Sequence, residues 1–363
     1  MTIRPRIPFA EGRMAAGAKR ANLADIARMA GVSSATVSLV INGKGNIKEQ
    51  TREKIKKIAA ELNYVPNSTA RALRRGRMNS IGVVITHFHN PFFYSVFSGI
   101  EDIVGGKGYT FWVSQSLDSP QKEKEQVLAL AERGVDGLIV MTCASGYGNL
   151  ESIKERYNIP VVLIANHFDK PAFPAVVADN AGGARLAVNH LLALNRPVVH
   201  IAGALSQSMV GLRREAFRSV MRTHLGRRYS DRCVFEVEEL SPARGYRVMD
   251  KVLAAFTPPF SIFAVNDETA MGVMRYCREH GLRVPEDIAL VGFGDIELLE
   301  NLGIPLSTVN IPSVEMGRRA AEIVINLAEG ALDRDYRHQL ELPVSLVVRK
   351  SSRPEQARRQ PGS

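Results

Sequence analysis

The 363-residue chain reads as an α/β protein in two parts, an all-α helix-turn-helix headpiece followed by a two-lobed body of parallel sheets. Three observations predict this. The stretch NLADIARMAGVSSATVSLVIN, residues 22–42, sets apolar residues at helical spacing on both sides of Gly31. From Ser80 onward, short apolar runs alternate with longer amphipathic segments. The charge is also partitioned: residues 1–80 hold 16 Lys+Arg against 5 Asp+Glu, a surplus of 11, whereas the remaining 283 hold 31 against 32.

Within the opening stretch, Leu23, Ile26, Ala27 and Ala30 fall at i, i+3, i+4 and i+7 and give one apolar helix face. Asn22 is placed to cap its start. Gly31-Val32 breaks this helix, and Ser33 caps a second one in which Val37, Val40 and Ile41 point inward. Asn42-Gly43 stops it. Two short helices about a glycine turn form a unit whose second helix can enter a major groove. The outward residues Ser34, Ala35, Thr36, Ser38 and Leu39 are free of bulk, as close approach to base edges requires. A two-helix turn in any all-α domain could look the same, so the charge partition decides. A basic headpiece on a near-neutral body is the footprint of a polyanion-binding domain, because displaced counterions supply most of the sequence-independent affinity.

A third helix follows in TREKIKKIAAELNY, with Ile55, Ile58, Ala59 and Leu62 on one side and Arg52, Lys54 and Lys57 on the other. Pro66 ends it. Asn67 or Ser68 can cap a short helix through Leu73, crowded by Arg71, Arg74, Arg75 and Arg77. So short and positive a helix is not stable alone in water, so it is either a segment that folds against DNA or a plain linker. The expected boundaries are a flexible tail over 1–20, the headpiece over 21–66, a hinge helix and linker over 67–79, the body over 80–350 and a tail over 351–363.

The body reads as strands SIGVVIT, YTFWVSQS, DGLIVMT, IPVVLIAN, AVVADN, PVVHIAG, CVFEVE, SIFAVN and DIALVGFG, with helices between them, one over 242–255. Strands alternating with helices predict parallel sheets covered on both faces. The pattern restarts near Asp179, which predicts two lobes. The helix VEMGRRAAEIVINLAEG and a closing strand LPVSLVVRK complete the body. Ligands of such sheets sit beyond the carboxyl ends of the strands, so two lobes face to face enclose a cleft. Its candidate residues are those just after strands: His87 to Phe93, including Phe92, then Asn166 and His167, the loop over 204–214, and Asn266-Asp267.

Several classes are excluded. Cys143, Cys233 and Cys277 are far apart and lack metal-ligand spacing, so neither a disulfide framework nor a metal site is expected, and no cofactor is implied. No run of 18 apolar residues could span a membrane, and the N-terminal stretch lacks the apolar core of a signal peptide, which makes the cytoplasm the expected compartment. Met14 is an alternative start. An enzyme on an α/β scaffold would need a catalytic motif, and none of the nucleophile-elbow, phosphate-loop or zinc-protease patterns occurs. A solute-binding protein would share the lobes but has no use for the basic headpiece.

The order DIARMAGVSSATVSLVIN, TREKIKKIAAELNYVPN, then ARAL before SIGVV, resembles the LacI/GalR family of bacterial transcription regulators. In the body, RGVDGLIV, VVADN, GLRREAF, AVNDETAMGV, GLRVPEDIALVGFGD, LSTVNIP and LPVSLVVRK look like that family's landmarks in order, so the resemblance runs from about residue 21 to 350. Within the family, SLVINGKG is similar to the maltose-regulon repressor type. The resemblance implies a repressor with a periplasmic-binding-protein-like core, acting as a homodimer or a dimer of dimers. It would bind a pseudo-palindromic operator of double-stranded DNA under the control of a small effector, a carbohydrate or sugar acid.

Carried over by position, Ser34, Ala35 and Leu39 correspond to variable base readers, and Thr36, Ser38 and Asn42 to phosphate-contacting and core positions. Leu73 matches the residue that wedges into the minor groove, with Ala70 beside it and arginines such as Arg74 on phosphates. The readers lack Arg or Gln, so discrimination is expected to be partly apolar and to rest on a kinked operator centre. Arg213 matches the family's ligand-holding arginine, and Asn266 and Asp267 its Asn-Asp pair. Two departures stand out: Gly294 occupies a place where sugar- and purine-binding members often have an aspartate, with Asp295 one position later, and Leu240 replaces a frequent aromatic platform. The expectation is therefore an anionic effector, a sugar acid or sugar phosphate, facing Arg213 with His87 or His167. The alternative is that Arg213 only pairs with Glu215 or an interlobe acid.

Overall fold

The computed structural model describes residues 21–64, 77–143, 147–168, 171–204, 208–297, 299 and 305–353. They fall into two compact units, one before residue 76 and one from there on. Residues 67–76 of the hinge expectation, with Ala70, Leu73 and Arg74, lie outside the described residues, as do both outer tails up to residue 20 and beyond 353.

The first unit holds three helices, α1 (Leu23–Ala30), α2 (Ser34–Ile41) and α3 (Glu49–Glu61). Asn22 Oδ1 accepts from the Ala24 and Asp25 amides, and the Asp25 carboxylate accepts from the Asn22 amide, so the α1 donors are satisfied reciprocally. Gly31 closes α1 at φ 71°, a left-handed conformation that a side chain would strain. The chain bends by 106° there, and Ser33 Oγ accepts from the Thr36 amide at 3.1 Å to start α2. Ile26, Ala27, Ala30, Val37, Val40, Ile55, Ile58 and Ala59 form the core. Each larger one contributes about 1.5–3 kcal/mol of burial, so a core this small tolerates few truncations.

The second unit carries two six-stranded sheets. The first runs β2 (Thr110–Gln115), β1 (Ser80–Ile85), β3 (Gly137–Val140), β4 (Val161–Ile164), β5 (Ala175–Ala178) and β11 (Gln339–Leu342), all parallel. The second runs β7 (Val234–Val237), β6 (Val198–Gly203), β8 (Phe260–Ala264), β9 (Ile288–Gly294), β10 (Ser307–Asn310) and β12 (Ser345–Val347), with β12 alone antiparallel. The first-sheet helices are α4 (Phe92–Gly106), α5 (Pro120–Glu132) and α6 (Gly148–Tyr157). The chain crosses to the second sheet through α7 (Asn180–Leu192), continues with α8 (Ser208–Leu225), α9 (Pro242–Ala255) and α10 (Asp267–Glu279), then returns on α11 (Ser313–Glu329) to pack against α4.

Two helix pairs touch backbone to backbone. A Cβ at Gly99 of α4 would overlap the Val314 carbonyl oxygen, and one at Gly317 of α11 that of Val96. The second lobe repeats the device: a Cβ at Gly245 of α9 would overlap the Thr269 carbonyl oxygen, and one at Gly272 of α10 that of Pro242. No described helix is long and apolar enough to cross a membrane by itself.

Two sequence expectations need correction. The closing stretch is not one strand: its first residue, Leu342, ends β11 in the first sheet, while Ser345–Val347 form β12 in the second. The body also does not end at 350. Ser351 and Ser352 are fully buried, with Ser351 Oγ donating to the Leu290 carbonyl at 2.7 Å and accepting from the Ser307 amide at 2.8 Å. Ser352 Oγ donates to Ser307 Oγ and lies 2.7 Å from His190 Nε2. Polar residues this small look like tail in a sequence, yet they can be buried once neighbouring strands satisfy their hydroxyls.

Candidate functional site

In the first unit, the face of α2 away from the core presents Ser34, Ala35 and Leu39, all exposed, with Leu39 at 40%. Thr36, Ser38 and Asn42 are half-buried. The Thr36 and Ser33 hydroxyls lie 2.9 Å apart, and Asn42 Nδ2 donates to the Ser38 carbonyl at 2.6 Å, so Thr36 and Asn42 secure the two ends of the helix. Gly43 and Gly45, both at positive φ, turn the chain away after it. The outer face is thus short, rigidly capped and without long side chains, a shape that lets the helix backbone come near base edges.

In the second unit, a cavity of about 390 Å3 opens at the carboxyl ends of the strands of both sheets. The described residues bring His87, Phe92, Arg213, Asn266 and Asp267 together in its lining. Asn166 and Asp295 are not among the lining residues. Asn166 is buried with its amide nitrogen on the Thr142 carbonyl. Asp295, at φ 55° after Gly294, turns to Arg349 Nη1 at 2.8 Å and Asn310 Nδ2 at 2.9 Å. An aspartate one position later than expected therefore lands on a different partner.

Arg213 is the centre of the lining. It projects from α8, is 4% exposed, and its guanidinium carbon lies 3.6 Å from the Phe293 ring centroid. Nε and Nη2 donate to Asn180 Oδ1 at 2.9 and 2.8 Å, and Nη1 donates to the Val265 carbonyl at 2.7 Å. Burial pulls its pKa down to about 9, opposed by the charge of Asp267. Among the described residues it pairs neither with Glu215, which binds Arg218, nor with an acid of the first lobe. Asn266 Oδ1 caps α10 by accepting from the Thr269 amide at 2.9 Å. Asp267 is buried and accepts from Thr308 Oγ1 at 2.5 Å and the Ile296 amide at 3.1 Å, yet burial still pushes its pKa up to about 6.

The lining also contains residues that the sequence reading did not select. Asp118 holds His87 Nε2 at 2.9 Å; the His89 ring, within the expected run from His87 to Phe93, lies 4.9 Å from that of His87. Glu238 and Glu239 stand at the rim beside Arg244, at 3.2 and 4.0 Å. Glu268 has its pKa pushed up to about 7 by burial, and further by Asp267 and Glu239. Asp118 follows β2, and the two rim glutamates follow β7, so the strand-end rule would have found them had it been applied to every strand.

The balance of charge weighs against the expectation of an anionic effector. Five carboxylates, Asp118, Glu238, Glu239, Asp267 and Glu268, line the cavity, and Arg213 is the one guanidinium or ammonium among the described lining residues. Its donors are already directed at Asn180, Val265 and the Phe293 face. His167 is not in the lining either; its ring nitrogen meets Gln339 at 2.9 Å. The lining does include the aromatic rings of Phe92 and Phe293, which offset the loss of a platform at Leu240.

A compact helix-turn-helix unit followed by a two-lobed α/β body with a lined cleft defines a bacterial transcription regulator. Residues 22–67 match the family described as bacterial regulatory proteins, lacI family, and residues 188–352 match the periplasmic binding protein-like domain. The HTH-type transcriptional repressor PurR of Aliivibrio fischeri is 31% identical over 335 residues, covering 91% of this chain and 98% of that protein. Among solved structures, the lac repressor dimer bound to operator and the anti-inducer ONPF aligns with a TM-score of 0.82 and 28% identity, over 92% of this chain and 99% of that one. A LacI family transcriptional regulator from Enterococcus faecium with bound ribose aligns at 0.67 and 26%, over 76% and 99%. The chain belongs to the lacI family and is a transcriptional regulator rather than an enzyme.

Proposed function

We propose that this protein is a repressor that binds a pseudo-palindromic operator as a dimer in the cytoplasm, and that a small neutral polyhydroxylated ligand in the cleft controls its affinity. The observation that carries the ligand reading is the cavity lining: acceptor carboxylates around a buried, ring-stacked arginine suit hydroxyl donors and repel a carboxylate or phosphate. The ribose found in the E. faecium regulator supports the same class. Ser34, Ala35 and Leu39 read bases, Thr36, Ser38 and Asn42 hold the helix on the backbone, and residues 67–79 act as hinge and linker, with Leu73 as the wedge between base steps, Ala70 beside it and Arg74 on phosphate. The exposed rings of Tyr94, on α4, and Trp112, on the edge strand β2, 77% and 54% exposed, support pairing with a second copy through this side of the first lobe. The ligand acts only if it binds the two states of the body with different affinity.

Selection from a random duplex library should recover an inverted repeat whose binding falls steeply with salt. In a thermal-shift series, pentoses and hexoses should raise the unfolding temperature, whereas matching sugar acids and phosphates should not. Stabilisation by the acids alone would sink the neutral-ligand reading. Leu73→Ala should cost specific affinity far more than non-specific binding.

A further inference from the structure

A second concavity, of about 480 Å3, lies at the other end of the first sheet, where the chain leads into β1, β3, β4 and β5. Its charge is unlike that of the cleft. Among the described lining residues, Arg77, Lys154, Arg334 and Arg337 face a single carboxylate, Asp136. That carboxylate is occupied, accepting from the Met78 amide at 3.0 Å and the Ser80 amide at 3.1 Å. Arg337 donates to the carbonyls of Arg334 and Tyr336, and its one ion pair is with Asp335, which is 92% exposed and therefore well screened. Arg334 donates to the neutral Asn158 side chain. Lys154 has no salt bridge among the described residues, and its Nζ lies 5.9 Å from the Phe173 ring centroid.

The ends of α5, α6 and α11 reach this face, and their carbonyl groups offset about half a unit charge each. Four full cationic charges still exceed what faces them. Burial and the neighbouring Arg337 lower the Lys154 ammonium below the ordinary lysine value, and the Asp335 carboxylate only partly opposes them.

We infer that this concavity is a second ligand site, taking a small phosphate-bearing anion between the Arg334 and Arg337 guanidinium groups, Lys154 Nζ and Arg77. Guanidinium forks match phosphate oxygens in pairs, and the lysine supplies a point charge beside them. Tyr157 and Phe173 add an apolar wall for the organic part of a phosphate ester. Arg77 belongs to the chain leading into β1, so a ligand held here restrains the start of the body and does not compete for the cleft.

Calorimetric titration of the full chain with pyrophosphate, at fixed ionic strength, tests this. Saturable binding is expected, weakened at least tenfold in Lys154→Gln/Arg337→Gln and unchanged in Lys54→Gln/Lys57→Gln, which removes charge from the headpiece instead. Phenyl phosphate binding more tightly than pyrophosphate would identify an ester as the ligand; the reverse order would identify an inorganic one. In the unaltered protein, pyrophosphate should also slow acetylation of Lys154 relative to Lys54, read by mass spectrometry. No saturable binding, loss confined to the headpiece variant, or equal protection of both lysines overturns the proposal.

Discussion

The two lobes share a plan and differ in what they hold out to the cleft. Each is a six-stranded sheet of equivalent order, with an edge strand supplied late in the chain and one helix pair packed through facing glycines. The first lobe offers His87, His89, Phe92 and Asp118; the second offers Arg213, Glu239, Asp267, Glu268 and Phe293. Backbone contact between helices leaves no freedom in residue choice, so the packing is duplicated. Loops after strands carry no such constraint, so the chemistry has diverged. The second lobe, where the buried and hydrogen-bonded groups lie, forms the more rigid wall of the cleft.

The largest effects should come from the shared packing. Gly99→Val and Gly272→Val each force two helices apart and should cost about 3 kcal/mol or more in urea unfolding. Costs that differ by more than about 2 kcal/mol would mean that the lobes are not equivalent in construction. Next is the more rigid wall. Arg213→Met leaves Asn180 Oδ1 and the Val265 carbonyl without their donor, costing about 2 kcal/mol of stability, and should abolish the thermal shift produced by neutral sugars. His87→Ala should weaken that shift without removing it; equal losses would break the asymmetry.

A smaller effect concerns pH. The Glu268 carboxyl, ordinarily near 4.5, is raised to about 7 by burial in the fold. The stability due to its protonated form is therefore complete below about pH 4.5 and lost as pH rises through 7. Glu268→Gln should make the protein more stable than the parent at pH 8, with the gap closing by pH 4.5. Asp267, raised to about 6, adds a decline of the same sign that survives in the variant. Smallest of all, Asp118→Asn removes the exposed partner of His87 and should change stability by less than about 1 kcal/mol, measured by the same unfolding assay.

Local features were legible from residue order. The Asn22 and Ser33 caps, the Gly31 turn and the helix over 242–255 stand where spacing puts them, because each depends on neighbours within one or two turns. The alternation of strands and helices likewise revealed both lobes. What escaped depends on distant partners. Asp295 turns to Arg349, 54 positions away, and Ser351 bonds to Leu290, 61 positions away. The acidic lining was only partly hidden: Asp118, Glu239 and Glu268 follow β2, β7 and β8, where the strand-end rule reaches them, but only the meeting of these strand ends shows that their charges share one surface.

The edge strands β11 and β12 are separated by two residues and serve opposite sheets. During translation, neither half of the body can be finished before the other, because the run Gln339–Val347 completes both at nearly the same moment. A polypeptide released before that point presents two bare sheet edges to proteases and to other chains. The two lobes therefore cannot be produced as separate pieces by cutting the chain at any one place.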